Sequence, residues 1–153
     1  MAAIFSAIAQ VAQEHPEIQV LYPVHKNPLV QNMAREKLGY LENIVLTDPL
    51  DYQPFAQVMA KCYLVLTDSG GLQEEAPALG KPVLVLRDVT ERPEAIAAGT
   101  ARLAGTTAAD VYRNLTLLLT DETTYQQMAH AANPYGDGTA AQQIVQAIHH
   151  WLG

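Results

Sequence analysis

Two hydrophobic periodicities alternate along this chain. Short runs rich in β-branched and aliphatic residues predict strands, and five such runs occur: IQVLYPV (18–24), NIVLT (43–47), YLVLT (63–67), VLVL (83–86) and ARLA (101–104). The segments around them carry apolar residues three or four positions apart, which predicts helices. Short, nearly continuous apolar strands alternating with helices are typical of a parallel sheet covered on both faces. The pattern therefore predicts an α/β fold.

Several residues mark where the helices begin and end. Asn27 as N-cap, Pro28 in the first turn and Gly39 past the end frame one helix, and Pro93 begins another. We expect Pro54 to interrupt the short helix in DYQPFAQVMAKC. The last helix carries an apolar stripe, which we expect to be exposed or repacked: Ile144, Val145, Ile148, Trp151 and Leu152.

Length, composition and charge narrow the class of protein. With 153 residues, 49% of them hydrophobic and no linker or repeat, we expect one domain over 1–153. A net charge of −7 argues against nucleic-acid binding. The single cysteine, Cys62, cannot form an internal disulfide; we expect a buried, inert thiol and a cytoplasmic location. No apolar run approaches the roughly 18 residues of a membrane span, and without a basic leader we expect mature sequence.

Polar residues collect where the predicted strands end. His25–Asn27 follow the first strand, Asp48–Leu50 the second, Asp68–Gly71 the third and Arg87–Arg92 the fourth. In doubly wound sheets, ligands bind beyond the carboxyl ends of the strands. We therefore predict a binding site at this edge.

The stretch TDSGGLQEE (67–75) lies between a strand and a helix. Ser69, Gly70 and Gly71 would place free backbone N–H groups at a helix N-terminus, where an anion is stabilised. The alternative is ordinary N-capping by Asp68 or Ser69, with glycines needed only for the turn. Because neither Gly-Lys-Ser/Thr nor G-x-G-x-x-G occurs, the P-loop and the dinucleotide fingerprint are excluded.

Three other polar residues each have two interpretations. Glu74 and Glu75 could stabilise the helix dipole from the first turn, or one carboxylate could accept the two hydroxyls of a ribose. His25 could be a hydrogen-bonded loop residue or a contact to phosphate or sugar. No residue set has the spacing of metal ligands, so we predict no metal.

Four segments resemble the non-hydrolysing UDP-N-acetylglucosamine 2-epimerases: YPVHKNP (22–28), DPLDYQPF (48–55), LTDSGGLQEEAPALGKPVLVLRDVTERPEAIAAGT (66–100) and NPYGDG (133–138). Members of that family have the GT-B architecture of two Rossmann-like domains, and this chain resembles only the second. The resemblance implies a three-layer sandwich with a mostly parallel sheet of about five strands. It also implies an absent N-terminal domain as partner and, commonly, a homodimer.

The resemblance assigns UDP or UDP-GlcNAc to the strand ends, without a cofactor. Each matching residue would meet one part of the ligand: Phe55 the uracil, Ser69, Gly70 and Gly71 the diphosphate, and Glu75 the ribose hydroxyls. Arg92 and His25 would lie near the nucleotide-sugar cleft, where His25 could serve a second, regulatory substrate molecule.

The family interconverts UDP-GlcNAc and UDP-ManNAc by removing the C2 proton, eliminating UDP and adding it back on the other face. Its catalytic carboxylates and lysine lie in the N-terminal domain, so the resemblance implies no certain catalytic residue here. A strand with the family's TGHRREN-like motif would precede Ile4, between the first and third strands in the sheet. We therefore expect unpaired strand edges there and no epimerisation by this chain alone.

Two other functions remain open. A GT-B glycosyltransferase domain would share the diphosphate-binding helix and the ribose-binding glutamate. A non-catalytic nucleotide-sugar-binding module is the alternative from a different class. The segments TERPE and NPYGDG favour the epimerase over the glycosyltransferase.

Overall fold

The computed structural model describes residues 1–152, with helices and strands alternating over most of the chain. The strands are β1 (Val20–Pro23), β2 (Ile44–Thr47), β3 (Val65–Thr67), β4 (Val83–Val85) and β5 (Ala101–Leu103). The helices are α1 (Ala2–Glu14), α2 (Pro28–Leu38), α3 (Tyr52–Lys61), α4 (Gly70–Ala78), α5 (Pro93–Ala98), α6 (Ala108–Thr120), α7 (Glu122–Ala129) and α8 (Ala140–Leu152). Every strand lies within one of the five apolar runs.

All strand pairs are parallel, and they form two sheets. β1 pairs with β2, while β4 lies between β3 and β5. The α/β class and the parallel strands are confirmed. The five strands do not form one continuous sheet, because β1 and β3 are not paired with each other. The break falls where the family resemblance implies a further strand.

Helix α1 packs against both sheets. Phe5, Ala9 and Ala12 belong to the apolar cluster around β1 and β2. Val11, on another face of α1, packs with Leu84 of β4 in a second cluster. This helix therefore connects the two sheets through side-chain packing.

The predicted helix boundaries are confirmed, with one correction. The Asn27 side chain accepts a hydrogen bond from Leu29 N–H at 2.9 Å, and Pro28 begins α2. Helix α5 begins at Pro93 and ends before Gly99, whose φ of +82° is favourable only for glycine. The expected interruption at Pro54 is wrong. Pro54 is the third residue of α3, where a backbone N–H has no acceptor within the helix.

Helix α8 lies outside the packed core, whereas Cys62 packs against it. Helix α8 has no buried residue, and Trp151 at its end is 85% exposed. Cys62 is half-buried rather than fully buried; burial raises the pKa of its thiol, which donates to Met59 O at 3.1 Å. Among residues 1–152, no helix has the length and apolar character needed to cross a membrane.

Candidate functional site at the N-terminus of α4

Ser69 is the residue that precedes α4, but its side chain does not cap the helix. Its own N–H donates to the Thr67 hydroxyl at 3.0 Å, which fixes the turn leaving β3. Side-chain capping by Ser69, the simpler of the two interpretations, is therefore not observed. The N–H groups of the first turn of α4 have no acceptor within the helix.

Ser69 and Glu75 converge on the same side of this turn. A Cβ placed on Gly71 would lie 3.8 Å from Ser69 Oγ and 3.9 Å from Glu75 Oε1. Glu75 lies one turn further along α4, and its carboxylate points back toward the helix N-terminus. A hydroxyl, a carboxylate and the helix N-terminus therefore surround one small volume.

Glu74 differs from the sequence prediction in position and in contact. The first turn of α4 contains no acidic residue, so both glutamates lie in the second turn. The Glu74 carboxylate accepts a hydrogen bond from Arg92 Nε at 2.5 Å. This bond is the main reason that the pKa of Arg92 is raised above its ordinary value. The expected helix-dipole role of Glu74 in the first turn is therefore wrong, because Glu74 lies in the second turn and pairs with Arg92.

The loop after β4 lies against the first residue of α4. A Cβ on Gly70 would come within 2.6 Å of Glu91 Oε1 and 3.4 Å of Arg92 Nη2. Arg87 Nη1 in turn donates to Glu91 Oε2 at 2.8 Å. A side chain at position 70 would therefore require the Glu91 carboxylate to move, which shows how closely the two strand-end segments approach each other.

Phe55 and His25 lie in different surroundings. Phe55 is partly buried in the apolar cluster that also contains Leu72 of α4. His25 is exposed in the loop after β1, and its Nδ1 accepts a hydrogen bond from Asn27 N–H at 3.1 Å. That bond agrees with the interpretation of His25 as a hydrogen-bonded loop residue. His25 therefore lies at the end of the β1–β2 sheet, whereas the other residues predicted to contact the ligand lie around α4.

Two cavities open at the carboxyl ends of strands. One, of about 240 Å³, follows β4 and β5 and is lined by Arg87, Asp88, Leu103, Ala104, Gly105, Asp110, Arg113 and Asn114. The other, of about 250 Å³, follows β1 and β2 and is lined by Val24, Gln31, Arg35, Leu46, Thr47 and Asp48. Their linings do not include the turn from Ser69 to Gly71.

Sequence reasoning missed three polar residues beside this turn: Gln73, Thr90 and Glu91. Gln73 is completely buried, although its neighbours Glu74 and Glu75 are not. Its position three and four residues before Ala76 and Pro77, on the same face of α4, was the available signal. Its partners could not be read from the sequence, because they lie on a different loop.

Parallel strands with intervening helices and polar groups at the strand ends define a doubly wound α/β domain of the kind that binds ligands at that edge. Residues 1–149 match the family described as UDP-N-acetylglucosamine 2-epimerase. The chain belongs to this family, which confirms the resemblance drawn from the sequence.

Named relatives agree with this membership. A UDP-N-acetylglucosamine 2-epimerase from Yersinia pestis is 57% identical over 145 residues, which are 95% of this chain and 39% of that protein. The S. aureus MnaA-UDP co-structure superposes with a TM-score of 0.92 at 47% identity, covering 99% of this chain and 41% of MnaA. An epimerase from Neisseria meningitidis bound to UDP-GlcNAc gives a TM-score of 0.90 at 42% identity, covering 97% and 40%. The chain thus spans about two-fifths of these relatives.

Proposed function

We propose that this chain is the UDP-binding domain, over 1–153, of a UDP-GlcNAc 2-epimerase. The convergence of Ser69 Oγ and Glu75 Oε1 at the N-terminus of α4 carries the proposal. Ser69, Gly70 and Gly71 hold the diphosphate, and Glu75 accepts the ribose hydroxyls. Phe55 lies at the uracil, while Arg92 and His25 lie near the nucleotide-sugar cleft.

The opposite preferences of the two parts of UDP explain the composition of this site. Backbone N–H groups and the helix dipole attract the diphosphate. A carboxylate would repel phosphate but accepts two hydrogen bonds from a ribose diol. The Glu75 backbone lies one helical turn, about 5 Å, beyond the first-turn N–H groups, so its carboxylate can meet the ribose while those groups meet the diphosphate.

UDP titration tests this assignment directly. In calorimetry we expect Glu75→Ala to weaken UDP binding at least about tenfold, because a charge-assisted hydrogen-bonded contact is lost. Substitution of the exposed Glu36 on α2 by alanine is the matched control and leaves the affinity unchanged. We also expect 2′-deoxy-UDP to bind the unmodified chain more weakly than UDP, and Glu75→Ala to remove that difference. A folded chain that binds both nucleotides equally would contradict the role of Glu75.

In the whole protein, this domain stabilises the departing UDP while UDP-GlcNAc and UDP-ManNAc interconvert. Negative charge develops on the diphosphate as the glycosidic C–O bond breaks, so donors fixed there lower the barrier. The groups that move the C2 proton belong to an N-terminal domain, the partner across the cleft. We expect the 153-residue chain alone to be inactive. Formation of UDP-ManNAc from UDP-GlcNAc by the purified chain would refute this.

The remaining parts of the proposal concern context. We place the protein in the cytoplasm, as a homodimer, supplying a nucleotide sugar for polysaccharide biosynthesis. A GT-B glycosyltransferase domain and a non-catalytic binding module are the competing functions. Family membership over residues 1–149 favours the epimerase over both.

A further inference from the structure

A pair of side chains, buried Gln73 and partly buried Thr90, joins the turn before α4 to the loop after β4. Gln73 is 0% exposed; its Nε2 donates to Ser69 O at 3.2 Å, and its Oε1 accepts the Thr90 hydroxyl proton at 2.5 Å. Burying an amide costs free energy unless its donor and acceptor are both used. Gln73 meets that requirement by contacting both strand-end segments.

The hydrogen bonds continue from Thr90 to Arg92. The Thr90 oxygen accepts from Arg92 N–H at 3.0 Å, while the guanidinium donates to Glu74 at 2.5 Å. Arg92 is thus fixed at its backbone by the loop and at its side chain by α4. One Thr90 hydroxyl takes part in both the contact to Gln73 and the contact to Arg92.

This network holds a cation beside the proposed diphosphate site. Arg92 Nη2 lies 3.4 Å from the position of a Cβ on Gly70, in the first turn of α4. A donor held in place before the ligand arrives avoids the entropy cost of ordering a long side chain on binding. Its exact placement relative to the turn therefore affects affinity.

We propose that Gln73 and Thr90 are positioning residues, which together hold Arg92 against the turn from Ser69 to Gly71 for contact with the diphosphate. This inference rests on the proposed UDP-binding function, because it assigns the two residues a role at that same site. Neither residue touches the nucleotide in this proposal. They act through Arg92.

A pair of substitutions at Thr90 separates the hydroxyl from the bulk of the side chain. We expect Thr90→Val, which keeps the shape, to weaken UDP binding about tenfold in calorimetry, since the hydroxyl no longer fixes Arg92. Thr90→Ser keeps the hydroxyl and stays within about twofold of the unmodified chain. In an Arg92→Ala background, Thr90→Val causes no further loss. An additive loss in that background would overturn the proposal.

A double variant distinguishes positioning from general stability. Thr90→Val alone leaves Gln73 Oε1 buried without a donor, whereas Gln73→Leu with Thr90→Val removes that unpaired oxygen. Arg92 N–H still lacks its Thr90 acceptor in the double variant, so we expect its thermal midpoint to recover in part while UDP binding stays about tenfold weak. Recovery of both would overturn the proposal, and so would unchanged binding by Thr90→Val. A folded, unmodified chain without UDP affinity would instead refute the proposed function, and this inference with it.

Discussion

The β1–β2 sheet and the β3–β4–β5 sheet differ in how deeply their strands are buried. All three residues of β4 are 0% exposed, whereas Leu21 of β1 and Val45 of β2 are 38% and 49% exposed. β4 has a paired strand on each side, while β1 and β2 each have only one. The comparison indicates that the three-stranded sheet is the rigid support for α4 and its turn, and that the two-stranded sheet depends more on α1.

The test with the largest expected effect replaces one leucine in each sheet by alanine. We expect Leu84→Ala to lower the free energy of unfolding by about 3 kcal/mol, because Leu84 is fully buried in β4. Leu21→Ala on the partly exposed β1 should cost about 1 kcal/mol or less. Urea denaturation measures both. Equal losses would show that the two sheets are supported alike.

A second test removes one helix cap next to each sheet. Asn27 caps α2 and Thr107 caps α6 through side-chain oxygens, and replacing either by alanine should cost about 1 kcal/mol. We expect Asn27→Ala to speed amide exchange in α2, β1 and β2 while leaving Val83–Val85 protected. Thr107→Ala should reduce protection in both sheets. If Asn27→Ala reduced amide protection equally in both sheets, the β1–β2 sheet would not open separately from the other.

The smallest effect concerns a contact between α1 and α6, which connects the sheets. The Tyr112 hydroxyl donates to Glu14 Oε2 at 2.6 Å, and this bond is the main cause of a lowered Glu14 pKa. A lowered carboxyl pKa stabilises the fold above the unfolded-state pKa, and that contribution is lost as pH falls through the folded-state pKa. We expect Tyr112→Phe to lose less stability than the unmodified chain as the pH falls below about 4.5.

Denaturant midpoints from about pH 6 to about pH 3 measure this difference. Tyr52→Phe is the control, because Tyr52 is 73% exposed. If Tyr112→Phe and the unmodified chain lose the same stability at low pH, the Tyr112–Glu14 hydrogen bond does not stabilise the contact between α1 and α6.

Local patterns were sufficient to predict most of the fold. The apolar runs located all five strands, and Asn27, Pro28 and Pro93 marked helix starts because capping and fixed φ act within a few residues. Pro54 was misinterpreted because its effect depends on where the helix begins. Moving that start to Tyr52 converts a helix breaker into an acceptable first-turn residue.

The candidate site was less accessible from the sequence because its contacts join distant segments. Glu74 and Arg92 are 18 positions apart, and Gln73 meets Thr90 across a similar separation. No short-range pattern specifies which strand-end loops touch. The assignments of Ser69, Glu75 and Phe55 to parts of UDP remain predictions, and the geometry around Gly71 supports those of Ser69 and Glu75.

The pairing pattern of the strands has a consequence for folding speed. Val83 pairs with Val65 and with Ala101, each 18 positions away, and Val20 pairs with Ile44, 24 positions away. Every observed pairing therefore closes a single strand–helix–strand segment, which keeps the contact order of the sheets low for parallel strands. No strand pairing has to wait for the two ends of the chain to meet, so each sheet can nucleate from its own stretch of sequence.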